Sequence, residues 1–139
     1  MSPPREWGIL DTAMPDPLLP LVLIVDDAPD VLTLASGLLE GAGFRVSCAS
    51  SGFAAVKMAF ELQPDVILMD LAMPGMDGVE TTRHLKRQEQ TKHIPVIAFT
   101  GEALVAQRDR LQARGFTDLV AKPWNPDEMT AAVRQAIGQ

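Results

Sequence analysis

Four short apolar runs, each closed by a residue that carries chemistry, constrain this chain more than any other feature. Val22-Leu23-Ile24-Val25 ends in Asp26 and Asp27, and Val66-Ile67-Leu68-Met69 ends in Asp70. Val96-Ile97-Ala98-Phe99 ends in Thr100, and Leu119-Val120-Ala121 ends in Lys122. Uninterrupted apolar runs of this length suit strands buried on both faces, as in a parallel sheet. Open sheets of that kind place their ligands in the crevice beyond the strands' C-terminal ends. Three carboxylates, a hydroxyl and an ammonium are therefore expected along one edge of one sheet.

Between the runs the apolar spacing turns helical. A strand over 21–25 leads to a helix over about 29–41, with Pro29 in its first turn and Val31, Leu34, Ala35, Leu38 and Leu39 as its stripe. Gly41 and Gly43 close it. Residues 44–48 read as a short edge strand, and 52–62 as a helix with Ala55, Met58, Ala59 and Leu62 on one face. A strand over 65–69, a helix over about 78–88, a strand over 94–99, a helix over 102–114 and a strand over 117–121 follow. The last helix, about 126–137, carries Asn125 as cap, Pro126 at its first position and Glu128 in capping-box register. Five strand-helix units with short connections give an α/β fold with a parallel sheet and helices on both faces.

The 139 residues suit one domain. A net charge of −6 argues against direct nucleic-acid binding, which needs clustered cations. The small basic group Arg83, Lys86, Arg87 and Lys92 reads as the solvated face of one helix. Cys48 is the only cysteine, so no disulfide forms within the chain; it reads as a small buried hydrophobe in a reducing compartment. No segment approaches the ~20 apolar residues of a membrane span, and no signal peptide opens the chain, so a cytoplasmic protein without membrane insertion is expected. Residues 1–19, broken by Pro3, Pro4, Pro15 and Pro17, read as a disordered leader to a domain over 20–138.

Adjacent carboxylates facing a third across a crevice repel one another unless a cation neutralises them. Oxygen-only ligands select a hard ion, and a site that keeps waters suits Mg²⁺. An Asp carboxylate is also a competent nucleophile toward a phosphoryl group. Lys122 and Thr100 would supply the electrostatic stabilisation on which phosphoryl transfer relies. Taken singly these residues mean little: an Asp or Thr at a strand end is usually a turn or cap residue, and Asp26-Asp27 would favour a helix N-terminus through its dipole. Their joint placement at C-terminal strand ends is what carries the reading.

The segments Leu-Ile-Val-Asp-Asp, Asp-Val-Ile-Leu-Met-Asp-Leu-Ala-Met-Pro-Gly-Met-Asp-Gly, Pro-Val-Ile-Ala-Phe-Thr and Val-Ala-Lys-Pro-Trp, in this order, resemble the receiver domain of two-component response regulators. The resemblance spans about 20–138 and implies a flavodoxin-like (βα)5 doubly wound sandwich with strand order 2-1-3-4-5. It implies that Asp70 accepts a phosphoryl group from a histidine kinase or histidine phosphotransfer protein, and that the domain then modulates a downstream partner. Asp27 and Asp70 would ligate Mg²⁺ directly, with Mn²⁺ as a substitute, the Ala72 carbonyl would be a backbone ligand, and Asp26 would act through water. Lys122 would contact the phosphoryl group, and Thr100 would follow it as a switch residue. Pro74 and Gly78 match loop-shaping positions, and the Lys122-Pro123 bond matches one that is cis in the family.

Receivers commonly carry Tyr or Phe three residues before the Lys, where this chain has Leu119, so a muted response of the surface beyond is expected. Ala72 and Glu102 match the positions that flank the path of an attacking water. Self-phosphorylation and self-dephosphorylation are the only turnover implied. No output module follows residue 138, which leaves a stand-alone receiver or part of a longer regulator or hybrid kinase; a homodimer stays open. Two other readings are an Asp-based phosphohydrolase, disfavoured because Ala72 stands where such enzymes place a second acid, and an unphosphorylated interaction module, disfavoured because the acidic set is intact.

Overall fold

The computed structural model describes residues 18–101 and 107–138. Its elements are β1 (Leu21–Val25), α1 (Pro29–Gly41), β2 (Arg45–Ala49), α2 (Gly52–Leu62), β3 (Val66–Asp70), α3 (Gly78–Arg87), β4 (Val96–Gly101), α4 (Arg108–Ala113), β5 (Asp118–Lys122) and α5 (Pro126–Ala136). All four strand pairings are parallel and the sheet order is β2-β1-β3-β4-β5. This is the doubly wound, flavodoxin-like α/β architecture.

The alternation of strand side chains divides the core in two. Leu23, Ile67, Met69 and Ala98 face α2, α3 and α4 through Ala55, Ala59, Leu85 and Leu111. Val22, Ile24, Leu68, Ile97 and Phe99 face α1 and α5 through Ala35, Leu39, Met129 and Val133. The three central strands bury every residue from Val22 to Val25, Val66 to Met69 and Val96 to Phe99, which is why the sequence shows runs and not alternation. Side-chain oxygens cap three helices: Ser51 accepts from the Ala54 N–H, Asp77 from the Glu80 N–H, and Asn125 from the N–H groups of Asp127 and Glu128.

Four strands run one or two residues later than the apolar runs suggest, so Asp70 and Lys122 are the last residues of β3 and β5. Ladder hydrogen bonding is indifferent to a charged side chain at the tip; Asp70 pairs in register with Phe99, and Lys122 with Gly101. Within the expected helix over 102–114, residues 102–106, including Glu102, fall outside the described residues. The leader expected over 1–19 does so as far as residue 17. Gly115, at φ +100°, closes α4, where a Cβ would crowd the Lys86 stem at 3.0 Å.

Several burial expectations need correcting. Leu34 is 65% exposed. The α1 stripe centres on Ala35 and Leu39 with Val31 and Leu38 at its margins; one helical step of about 100° carries Leu34 off it. Leu62, the last residue of α2, is 43% exposed. Cys48 is exposed and not buried, because β2 is an edge strand; its Sγ lies 3.1 Å from the Ser36 Oγ on α1. Lys86 is not simply solvated: its Nζ donates to the carbonyls of Ile94 (2.6 Å) and Lys92 (3.2 Å), and burial lowers its pKa.

Candidate functional site

Register brings the chemistry together. Val25 pairs with Met69, so Asp26 and Asp70 stand level at the tips of β1 and β3, while Thr100 follows Phe99 one step beyond on β4. Asp26, Asp70 and Thr100 are each under 5% exposed, and Asp27 is exposed at the mouth. Carboxylate oxygens of Asp26, Asp27 and Asp70 all lie within 4.8 Å of one another.

The hydrogen bonds distribute these oxygens unequally. Asp26 Oδ1 accepts from the Ala28 N–H at 2.9 Å, and Asp26 Oδ2 accepts from Lys122 Nζ at 2.6 Å. Asp70 Oδ1 accepts from the Ala72 N–H at 3.2 Å and lies 3.4 Å from Lys122 Nζ. Asp70 Oδ2 and both oxygens of Asp27 have no hydrogen-bond or ion-pair partner among the described residues. One ammonium thus faces two buried carboxylates and a third beside them. Burial raises the Asp70 pKa above its ordinary value of 3.8; the Ala72 N–H opposes this, Asp26 adds to it, and Lys122 opposes it.

Two backbone features shape the floor. A Cβ on Gly78 would overlap the Asp70 carbonyl oxygen, so only glycine lets α3 begin this close to the tip of β3. Pro74 and Gly75, the latter at φ +78°, sit in the exposed turn between β3 and α3, and Ala72 is exposed beside them. The Lys122-Pro123 peptide is cis. Leu119 is buried in the cluster that holds Leu111 and Phe116.

The sequence reading overlooked an aromatic support. The Phe99 ring lies beneath Lys122, with Nζ 4.8 Å from its centroid, and Trp124 packs on Phe99 at 5.0 Å with a 44° tilt. A Trp two residues after the Lys was the available signal; its partner, 25 residues earlier, was not visible without the sheet.

This arrangement combines a partly desolvated carboxylate with a free oxygen, a cation aimed at it, and a donor set of hard oxygens. Comparison with known proteins gives the family. The response regulator receiver domain model matches residues 22–134. The chain belongs to the response regulator receiver family. This receiver is 40% identical over 121 residues to the DNA-binding dual master transcriptional regulator RpaA of Synechocystis, covering 86% of this chain and 49% of RpaA. It therefore spans about half the length of that relative. It is 33% identical to the polar-differentiation response regulator DivK of Brucella ovis, covering 84% of this chain and 95% of DivK.

Among solved structures, the receiver domain of the sensor histidine kinase PA1611 from Pseudomonas aeruginosa superposes with a TM-score of 0.79 at 33% identity, over 87% of this chain and 99% of that one. That structure holds a magnesium ion in its active-site cleft. The Vibrio cholerae chemotaxis protein CheY4 gives a TM-score of 0.79 at 30% identity, over 85% and 98%. Among the described residues, no helix is long and apolar enough to cross a membrane.

Proposed function

We propose that this receiver accepts a phosphoryl group on Asp70 from a histidine kinase or histidine phosphotransfer protein, in a Mg²⁺-dependent reaction, and thereby modulates a partner. The observation that carries this reading is the cluster itself: three carboxylates within 4.8 Å, with one ammonium 2.6 Å from Asp26 and 3.4 Å from Asp70. The excess of buried negative charge fits a hard divalent cation, and the donors are all oxygens. Asp27 and Asp70 have oxygens to offer it, with the Ala72 carbonyl as a third ligand. Both Asp26 oxygens are already engaged, which suits contact through water. A bound Mg²⁺ would offset the repulsion among the acids and the charge on the incoming phosphoryl group.

A carboxylate oxygen of Asp70 is the nucleophile. Its bond to phosphorus forms as the donor's N–P bond breaks, and that bond's electron pair returns to the imidazole nitrogen. Lys122 is held over Phe99 and turns from Asp26 toward a phosphoryl oxygen, while the Thr100 hydroxyl donates to another. Burial of Asp70 limits access of water to the acyl phosphate. With alanine at position 72 no second acid stands ready to turn the aspartyl phosphate over, so the domain is a phosphoacceptor and not a phosphatase of external substrates.

Incubation with acetyl phosphate and Mg²⁺ tests the reading. The expected result is one phosphoryl group per chain, which does not form when EDTA is present from the start and is absent in Asp70→Asn. Steady catalytic release of phosphate would support a hydrolase instead, and no labelling would support an interaction module.

A further inference from the structure

The basic residues of α3, set aside in the sequence as a solvated face, form one wall of a furrow. Two cavities of about 390 and 290 Å³ open between α3 and α4 and share Val79 and Arg114 in their linings. Leu71, Val79, Leu111 and Ala113 give the furrow an apolar floor. Arg83 and Arg87 stand one helical turn apart on the α3 wall. Arg110 on α4 and Arg114, the residue that caps its C-terminus, stand about one turn apart on the facing wall. Like charges at that spacing weaken a helix, so the pattern is not a device for stability.

These cations are also unspent. Arg87, Arg110 and Arg114 make no ion pair among the described residues, and Arg83 reaches only Glu80, at 3.6 Å on the surface. Lys86, between them, is committed to two backbone carbonyls and contributes its stem to the lining. The cluster stands on a chain whose net charge is −6.

We infer that the α3–α4 furrow docks an acidic amphipathic helix of a partner protein, which sets an apolar side chain on Val79 and carboxylates against the two arginine pairs. Guanidinium groups grip carboxylates with paired hydrogen bonds, and acids one turn apart on the incoming helix match the one-turn spacing on both walls. The apolar floor gives an anchor that a polynucleotide would not fill, and the acidic remainder of the chain repels a polyphosphate. The upper end of the furrow is Leu71, next to Asp70, but docking itself does not depend on phosphorylation.

The test is amide NMR of the full chain, titrated with a synthetic helical peptide of about 15 residues, some four turns, bearing Glu at i and i+4 beside Leu. Shifts should concentrate on Val79, Arg83, Arg87, Arg110 and Arg114. Binding should weaken at least about tenfold when salt rises from about 0.05 to 0.5 M. The Arg87→Glu/Arg114→Glu variant should lose binding while still taking up phosphate from acetyl phosphate, which keeps this outcome separate from that of the phosphoacceptor reading. The inference is overturned by no binding up to about 1 mM peptide, by shifts elsewhere, or by undiminished binding in the double variant. A single-stranded oligonucleotide that occupies the furrow more tightly than the peptide would also overturn it.

Discussion

Two ion pairs in this receiver have the same length and opposite meanings. Lys122 to Asp26 and Arg108 to Asp118 both measure 2.6 Å. Arg108 and Asp118 link α4 to β5 on the surface, with side chains 48% and 27% exposed, where water and salt screen them. The Lys122 side chain is 25% exposed, but the side chains of its partners Asp26 and Asp70 are only 1% and 6% exposed, and a third carboxylate leaves the group with surplus negative charge. The surface pair is balanced and nearly inert. The buried group is unbalanced, and on the proposed reading that imbalance is what a cation would neutralise.

The largest effect that sharpens the contrast is loss of reaction. Lys122→Ala should lower the rate of labelling by acetyl phosphate about 10²–10³-fold, the usual result of removing a donor to developing charge; Arg108→Ala should label at the wild-type rate. Equal rates for the two variants would erase the distinction.

Mg²⁺ comes next. At a free concentration ten times its dissociation constant the metal should stabilise the fold by about 1.4 kcal/mol. Asp27→Ala should lose most of that gain, and Asp26→Ala less, as measured by thermal unfolding with and without the ion. The reverse order would exchange their roles as direct and water-mediated ligands.

Protonation of Asp70 gives a smaller effect with a definite sign. Its pKa is raised in the fold, so between 3.8 and the raised value the native chain holds more protons than the unfolded one. Stability therefore falls as pH rises through that window and stays lowered above it. In EDTA at neutral pH, Asp70→Asn should melt above wild type, and the advantage should vanish as pH drops below 3.8. A constant advantage at every pH would place the cause outside this carboxyl. The smallest effect is that of Arg108→Ala on stability, within about 0.5 kcal/mol by chemical denaturation.

The order and type of every described element could be read from the chain because the core is regular. Buried strands write themselves as apolar runs, and helices as stripes. The acids at the tips were legible for the same reason, since a charge that ends an apolar run must lie at a sheet edge. What escaped depended on neighbours distant in sequence. Lys122 bonds to Asp26 across 96 residues, and Phe99 supports Lys122 through the β4-β5 pairing. Cys48 looked buried from the apolar run around it, although that run was already legible as an edge strand. Arg83 and Arg87 are exposed, as the sequence suggested, but that Arg110 and Arg114 face them was not legible, because those residues come from another part of the chain.

Whether Asp70 carries the phosphoryl group is tested most directly by trapping it. The receiver is treated with acetyl phosphate and Mg²⁺, any acyl phosphate is reduced with labelled borohydride, and the modified peptide is identified by mass spectrometry. The account predicts a single modification, on Asp70, with Asp26 and Asp27 untouched. A label on Asp26 or Asp27, or on no carboxylate at all, would contradict it.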